Sequence, residues 1–417
     1  MKKLVYIIQA PPFWLKNPPL SLIYLRNYLE KKGIATGIID LNINLFTRTN
    51  QTVANWLTLN KEFEKNLFAL TEKHYPEILE DVYSKIKSAD FVGFSLTKRN
   101  SHFSFSLAEK IKSNFPNKKI IFGGPEVLSL ERKGKLDPRY YWVIGEGEMA
   151  FENIITDGKN KILRYQELAD LDHLPFYDFA GLDASNYSKT LPLFSLRGCP
   201  HQCSFCSERL LYKKVRQHSV KYMLRQIKLL KAKYQTNSFV FLDSLINYRK
   251  TWLKNFCQSL INDNFQINWE AQIRVDKKIP LELAKLMKSS GCYNLFVGLE
   301  SGSDKMLKKM NKGFDSANAL SFFETLNKAG LHFEISLIFG YPGENEQDFQ
   351  ETLSFIKKHK KLIPKIAQAN PFSDYLNAYP VQGESLKQAK QRVEKFLALV
   401  KKEKIRYTKS FINNLIY

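Results

Sequence analysis

Short apolar runs alternate with amphipathic segments over the first 156 residues. Five of the runs are rich in β-branched and aromatic residues, which predicts buried strands. The predicted strands cover residues 4–9, 36–41, 91–96, 119–122 and 141–144. Strand–helix alternation of this kind predicts an α/β fold with a doubly wound parallel sheet and right-handed crossovers.

Helix signals lie between these strands. Ser21 predicts the N-cap of a first helix, and Gly33 stands where its C-terminal cap belongs. Residues 50–87 predict a helical insertion between two strands, and residues 102–114 predict a further helix. Residues 157–190 are polar, aromatic and proline-bearing without a clear period, so we predict a linker between two domains there.

The carboxyl ends of the predicted strands carry glycines and polar residues. Open parallel sheets bind ligands beyond these ends, and glycine allows a ligand to approach the backbone closely. A glycine after a strand is also the ordinary residue of a turn, so this signal is weak alone. The candidates are Pro12, Ser95, Thr97, Gly123, Gly124, Gly145, Glu146 and Gly147.

Length and composition narrow the protein class. The chain has 417 residues, enough for two domains, and no run of about 18 apolar residues that would predict a membrane span. Five cysteines do not make a disulfide framework, and we expect Cys257 and Cys292 to be buried small apolar residues in a cytoplasmic protein.

The formal net charge of +22 suggests attraction to anions, or simply a lysine-rich solvated surface. The lysines are spread along the chain, and no nucleic-acid-binding motif is visible. Charge therefore identifies no partner.

Three cysteines, Cys199, Cys203 and Cys206, cluster on the segment that follows an apolar run at residues 191–196. Thiolates suit iron–sulfur clusters and zinc. Three thiolates leave one iron of a [4Fe-4S] cluster open to a small molecule. With His201 as a fourth ligand the same loop could hold structural zinc, or the thiols could be unrelated. These alternatives stay open at this point.

Around these cysteines the sequence resembles the radical S-adenosylmethionine (SAM) superfamily. The CxxxCxxC spacing fits, with the aromatic Phe205 before the last cysteine. The agreement extends over residues 190–372 and includes FLD (241–243), WEAQIRVD (269–276), GLESGS (298–303), MLKKMNKG (306–313) and GYPGE (340–344).

The resemblance implies a partial (β/α)6 barrel of the TIM type over residues 191–372. Its strand candidates are residues 191–197, 238–243, 267–274, 293–299, 333–339 and 364–369. Barrel active sites lie at the carboxyl ends of the strands. There the three cysteines would ligate a [4Fe-4S] cluster whose open iron chelates SAM. The implied SAM contacts are Phe205, Asp243, Arg274, Glu300, Ser301 and Gly340; Glu344 is expected to cap the next helix.

Residues 1–156 resemble the Rossmann-like domain of the cobalamin(B12)-binding branch. Pro11-Pro12, GGP (123–125) and GEGE (145–148) carry this resemblance, which implies that the strand-end candidates above contact cobalamin. The DxHxxG signature of many such domains is absent, and residues 370–373 replace the usual Pro-Gly-Thr after the sixth barrel strand. Residues 373–417 form a predicted short C-terminal helical extension.

The function implied is reductive cleavage of SAM, with a cobalamin-dependent C- or P-methyltransferase as the main hypothesis. Radical cyclisation or rearrangement without methyl transfer is the alternative enzyme hypothesis. A non-catalytic zinc or nucleotide-binding regulator is the alternative from another class. The implied partners are a small-molecule or natural-product substrate, whose pocket Tyr375 and Tyr379 could line, and an electron donor such as flavodoxin or ferredoxin.

Overall fold

A computed structural model describes residues 3–52, 56, 61–277, 279–373 and 386–408. Its first compact unit comprises Met1–Lys189 with Leu210–Lys214, and its second comprises Thr190–Arg209 with Val215–Tyr417. Tyr375 and Tyr379 lie outside the described residues.

The first unit is built on a six-stranded sheet in the order β2-β1-β3-β4-β5-β6. Every pairing in it is parallel, as the alternating pattern predicted. The strands are β1 (Leu4–Gln9), β2 (Ala35–Asp40), β3 (Phe91–Ser95), β4 (Lys119–Gly123), β5 (Tyr141–Ile144) and β6 (Ile162–Arg164). Sequence patterns place β6 in a linker, whereas it pairs with β5 and extends the sheet.

Helices connect these strands. They are α1 (Leu20–Lys31), α2 (Leu41–Arg48), α3 (Lys61–His74), α4 (Pro76–Ile86), α5 (Ser101–Asn114), α6 (Glu126–Arg132) and α7 (Glu148–Thr156). The predicted N-cap at Ser21 is wrong: α1 begins at Leu20 and Pro19 takes the cap position. Proline has no side-chain acceptor, so α1 begins without a side-chain cap. Gly33 follows α1 with a φ of 79°, the left-handed conformation expected of a C-terminal glycine.

The second unit contains a second six-stranded parallel sheet, in the order β14-β13-β12-β11-β10-β7. Its strands are β7 (Leu191–Leu193), β10 (Ser238–Phe241), β11 (Asn268–Ile273), β12 (Cys292–Glu300), β13 (Phe333–Phe339) and β14 (Ile366–Pro371). The strands pair in chain order with helical crossovers and β14 does not return to β7, which is the predicted open barrel. A short antiparallel hairpin, β8 (Leu196–Arg197) with β9 (Arg216–Gln217), follows β7.

Helices follow the barrel strands in turn. They are α8 (Glu208–Leu211), α9 (Val220–Tyr234), α10 (Lys250–Asn262), α11 (Leu281–Ser289), α12 (Asp304–Lys309), α13 (Ser316–Lys328), α14 (Glu346–Lys358) and α15 (Leu386–Lys402). We predicted that Glu344 caps the helix α14. This helix begins at Glu346, and its N-cap is Asn345, which forms a capping box with Asp348. The Glu344 prediction is therefore wrong.

Aromatic side chains fill the core of each unit. Phe122 of the first sheet lies between Phe94 and Trp142, with ring centroids 5.3 and 5.0 Å away. In the second sheet, Phe241 contacts Trp269 edge-on at 5.9 Å. Cys257 and Cys292 are buried, as predicted. Within the described part of the chain, no helix combines the length and apolarity required to cross a bilayer.

Candidate cluster and cofactor sites

The cysteine loop begins at the carboxyl end of the first barrel strand. Asp243, just beyond β10, is fully buried and accepts hydrogen bonds from the backbone N–H groups of Ser195 (2.7 Å) and Leu196 (2.9 Å) and from the Ser195 hydroxyl. These bonds turn the chain out of β7 and into β8. Gly198 then takes a φ of 82°, and Cys199 follows it. Asp243 therefore fixes the start of the loop.

Hydrogen bonds to two later segments hold the loop in place. The Ser204 N–H donates to the Met310 carbonyl at 3.0 Å, and the Asn311 amide donates to the Gln202 carbonyl at 2.8 Å. The Ser204 hydroxyl lies 3.0 Å from the Lys309 carbonyl and 2.7 Å from the Tyr341 hydroxyl. The loop is thereby tied to the segments that follow β12 and β13.

Burial and neighbouring charges act on the thiols of the cysteine loop. Burial raises the pKa of Cys206 to about 12, with smaller contributions from the charges of Glu208, Cys203 and Cys199. Burial also raises the pKa of Cys199. The Arg274 guanidinium donates to the Cys203 sulfur at 3.1 Å. Thiols of this kind lose their protons when a metal centre supplies the compensating charge.

His201, the alternative zinc ligand, lies on the same loop. Burial, together with the charges of Arg274 and Lys312, lowers its pKa to about 4, so its ring is neutral. In the described ranges, no three His, Cys, Asp or Glu side chains are arranged around a single ion. In a cluster the thiolates bind different irons, so they lie farther apart than around one ion.

A buried ion pair stands at the carboxyl end of β12. Glu300 takes a φ of 73° at a register shift between β12 and β13, and its carboxylate lies 3.1 Å from the Lys312 ammonium. The Ser336 hydroxyl donates to its second oxygen at 3.1 Å. The Lys312 ammonium also lies 5.5 Å from the ring centroids of both Phe205 and Phe314.

Sequence reasoning missed Lys312 and Ser336 as site residues. Lys312 stands inside the MLKKMNKG segment, but a lysine there reads as solvent-exposed until its burial is known. Arg274 adds a second positive charge: its guanidinium lies 5.6 Å from the Phe314 ring centroid. Arg274 and Lys312 therefore place two positive charges beside the cysteine loop, together with the Glu300 carboxylate.

The other residues with implied SAM contacts are held firmly in the second unit. Phe205 packs with Ile338 and Phe372 against Met306, Met310 and Tyr341. The Ser301 hydroxyl lies 3.1 Å from that of Thr352 and accepts the Ser303 N–H at 3.1 Å. Their contacts with SAM stay predictions. The barrel brings the cysteine loop beside Arg274, Lys312 and Tyr341, while Ser301 contacts the helix α14.

Gly340 begins a tight turn after β13 with a φ of 75°. Its N–H donates to the buried Glu344 carboxylate at 2.6 Å. The Tyr341 carbonyl accepts the Glu344 N–H at 2.9 Å. Glu344 therefore folds the turn, here called the Gly340 turn (residues 340–344), back on itself.

In the first unit, the candidates for cobalamin contact follow the neighbouring strands β1, β3, β4 and β5. Asn100, which sequence reasoning missed, is fully buried and joins two of these strand ends. Its amide group donates to the carbonyls of Ala10 (3.3 Å) and Ser95 (3.0 Å), and its oxygen accepts the Thr97 N–H at 2.7 Å. Pro12 is buried and joined to Pro11 by a cis peptide bond.

The glycines among the cobalamin candidates differ in the space around their Cα atoms. The Gly123 carbonyl accepts the Leu96 N–H at 2.7 Å, and a Cβ on Gly123 would meet only Val143, at 3.8 Å. Gly145 has a φ of 94°, and Gly147 precedes α7. Glu146 is buried and accepts the Leu168 N–H at 3.4 Å.

Two buried polar atoms at this edge lack a hydrogen-bond partner among the described residues. They are Oε1 of Gln9, the last residue of β1, and Oε2 of Glu126, the first residue of α6. Burial also raises the pKa of Glu126. An unpaired buried polar atom costs about 1–3 kcal/mol, so a ligand that pairs with these atoms would be stabilised here.

Replacing Gly124 by alanine will destabilise the first unit. Gly124 has a φ of 92°, and a Cβ there would lie 2.5 Å from the Leu96 carbonyl oxygen. We expect the free energy of unfolding to fall by about 2–3 kcal/mol, from backbone strain and the clash together. Urea unfolding of the full chain measures it.

Gly134→Ala is the matched control, because Gly134 also has a positive φ (63°) but open space around its Cβ position. It should cost only about 1 kcal/mol. Equal losses in the two variants would contradict the close approach at Gly124.

The comparison with known families gives the radical SAM superfamily, matched over residues 193–356. These residues form a radical SAM domain. The resemblance seen in the sequence is confirmed for this segment, which covers the cysteine loop, the Glu300–Lys312 pair and the Gly340 turn. The matched segment ends within α14. The strand β14 and the helix α15 lie C-terminal to it.

Curated relatives of the radical SAM domain include methyltransferases. An uncharacterized methyltransferase of Pyrococcus horikoshii is 27% identical over 298 residues, which cover 64% of this chain and 64% of that protein. The bacteriochlorophyllide d C-12(1)-methyltransferase of Chlorobaculum tepidum is 26% identical over 303 residues, 68% of this chain and 65% of that protein. The chain thus spans less than two thirds of the length of these relatives.

Solved structures of radical SAM proteins share the fold of both units. The cobalamin-dependent radical SAM enzyme OxsB, with aqua-cobalamin and SAM bound, gives a TM-score of 0.70 at 18% identity over 94% of this chain and 56% of that one. The methyltransferase TsrM of Kitasatospora setae, with cobalamin and a [4Fe-4S] cluster, gives 0.66 at 15% identity over 89% of this chain and 75% of that one. The predicted fold class is confirmed.

Proposed function

We propose that this chain is a radical SAM enzyme that cleaves SAM reductively and acts as a cobalamin-dependent C- or P-methyltransferase on a small-molecule substrate. The observation that carries the proposal is one loop with Cys199, Cys203 and Cys206, tied to the segments that follow three barrel strands. When bound, a cluster supplies the electron that splits SAM into methionine and a 5′-deoxyadenosyl radical, and cobalamin supplies a methyl carrier.

The residues of the loop fit a cluster. Three thiols supply soft ligands for three irons, and Arg274 already donates to the Cys203 sulfur. Such donors from surrounding residues orient metal ligands and stabilise their charge. The nearby Lys312 adds positive charge that would favour both the thiolates and the carboxylate of SAM.

Three further residues with an implied SAM contact have a defined task in the proposal. Glu300, held by Lys312 and Ser336, would bind the ribose or methionine end of SAM. Phe205 and its apolar neighbours would exclude water from the reacting atoms. Asp243 would contribute indirectly, by fixing the start of the cysteine loop, because its oxygens already accept hydrogen bonds from Ser195 and Leu196.

The first unit fits a large polar ligand. The unpaired Gln9 and Glu126 oxygens and the room over Gly123 lie at the carboxyl ends of β1 and β4. We propose that cobalamin binds along this edge of the sheet. Its contacts would be the eight candidates at the strand ends, Pro12, Ser95, Thr97, Gly123, Gly124, Gly145, Glu146 and Gly147. Relatives named as methyltransferases favour methyl transfer over cyclisation. A cytoplasmic flavodoxin or ferredoxin would supply the electron.

Corrinoid binding tests the cobalamin part of the proposal. Anaerobically purified, cluster-loaded protein is titrated with hydroxocobalamin, and bound corrinoid is measured after gel filtration. We expect about one corrinoid per chain, the ratio of a single site. Protein that cleaves SAM but retains no corrinoid would exclude cobalamin-dependent methyl transfer and favour a radical cyclase or rearrangement enzyme.

A further inference from the structure

We propose that Arg392, on the C-terminal helix α15, is a positioning residue for SAM binding that acts through the Gly340 turn. This inference rests on the proposed function, because it concerns the SAM site of the same barrel. Arg392 lies outside the matched radical SAM segment, 36 residues beyond its end at 356. No motif in the sequence singled it out.

The Gly340 turn depends on one buried carboxylate. The Glu344 side chain has no exposed surface, and its Oε2 accepts the Gly340 N–H at 2.6 Å. The same turn carries Tyr341, whose hydroxyl lies 2.7 Å from that of Ser204 in the cysteine loop. A shift of Glu344 would therefore move both the turn and a support of the cysteine loop.

Arg392 places a cation against this carboxylate. Its Nε lies 3.9 Å from Glu344 Oε2, and its Nη1 donates to the Asn345 carbonyl at 3.0 Å. The guanidinium also lies 5.0 Å from the Phe349 ring centroid, and only 9% of the side chain is exposed. A buried carboxylate that loses its cation bears a large desolvation cost, which it relieves by rotating toward another donor. Such a rotation takes Oε2 away from the Gly340 N–H.

The helix α15 is anchored well enough to present Arg392 in one position. Phe396 packs on Phe339 of β13 with ring centroids 5.0 Å apart. Beyond the helix, the Ile366 N–H donates to the Arg406 carbonyl at 2.8 Å, and the Thr408 N–H donates to the Ile366 carbonyl at 3.2 Å. The C-terminal segment is therefore attached to β13, from which the Gly340 turn starts, and to β14, the next strand of the sheet.

The test measures SAM affinity by equilibrium dialysis on anaerobically reconstituted full-length protein, with iron content and thermal unfolding recorded for every variant. Arg392→Met should weaken SAM binding at least about tenfold while iron content is retained. Lys390→Met, an exposed position on the same helix, should bind SAM like the wild type.

A double variant separates positioning from simple loss of structure. In Arg392→Met/Glu344→Gln the glutamine oxygen can still accept the Gly340 N–H, and no buried charge is left unpaired, because the other carboxylate beside Arg392, that of Glu346, is exposed. SAM affinity should return to within about threefold of the wild type, since the turn is restored without the ion pair. This double variant also decides the case if Arg392→Met alone does not fold.

Two results would overturn the inference. One is Arg392→Met with SAM affinity within twofold of wild type. The other is a folded double variant that binds SAM at least about tenfold more weakly than the wild type. If the wild-type protein itself binds no SAM, the proposed function fails, so the two failures are distinguishable.

Discussion

Replacing Cys203 by alanine will abolish cluster assembly and with it SAM cleavage. Removing one of three thiolates leaves two ligands for a cluster that requires three from this loop, and it also removes the sulfur to which Arg274 donates. After anaerobic reconstitution we expect iron to fall from about four per chain to near zero. The brown absorbance and the 5′-deoxyadenosine product should disappear together.

Cys257→Ala is the matched control. Cys257 is a fully buried thiol on α10, and α10 does not belong to the cysteine loop. It should retain the cluster and turnover, with a small loss of stability from the missing sulfur. A Cys203→Ala protein that keeps four irons and produces 5′-deoxyadenosine would refute the ligand assignment.

Lys312→Met should destabilise the second unit strongly. The change leaves the Glu300 carboxylate buried with Ser336 as its remaining described hydrogen-bond donor. Breaking a buried pair in this way costs about 3–5 kcal/mol. Denaturant unfolding of cluster-free, reduced protein measures the free energy of unfolding of Lys312→Met against the wild type.

The controls for Lys312→Met separate charge from packing. Lys308→Met, an exposed position on α12, should change the free energy of unfolding by less than about 0.5 kcal/mol. Lys312→Met/Glu300→Gln should recover most of the loss, because no buried charge is left unpaired. A single variant as stable as the wild type would show that the pair is unimportant.

Most of the barrel could be predicted from its apolar runs, because each strand buries apolar residues along its length. The predicted strand 333–339 coincides with β13, Phe333–Phe339. The first barrel strand differs: residues 191–197 form β7 and β8 with a break between them. The break arises because Asp243, about 50 residues away, captures the N–H groups of Ser195 and Leu196. Local pattern carries no information on such a partner.

In the first unit, β6 was missed for a related reason. Ile162–Arg164 is three residues long and stands at the sheet edge, so it shows no periodicity that separates it from a loop. The cysteine spacing identified the candidate cluster site, since the ligands are neighbours in sequence. Lys312, Asn100 and Arg392 acquire their roles only through burial and distant partners, which a single sequence does not display.

The most direct test of the central claim is quantification of 5′-deoxyadenosine. Anaerobically reconstituted full-length protein is incubated with SAM and a low-potential reductant, and nucleoside products are measured with time. The proposed function predicts 5′-deoxyadenosine and methionine in equal amounts, dependent on both reductant and cluster. Fully loaded, folded protein that binds SAM but forms no 5′-deoxyadenosine under these conditions would contradict it.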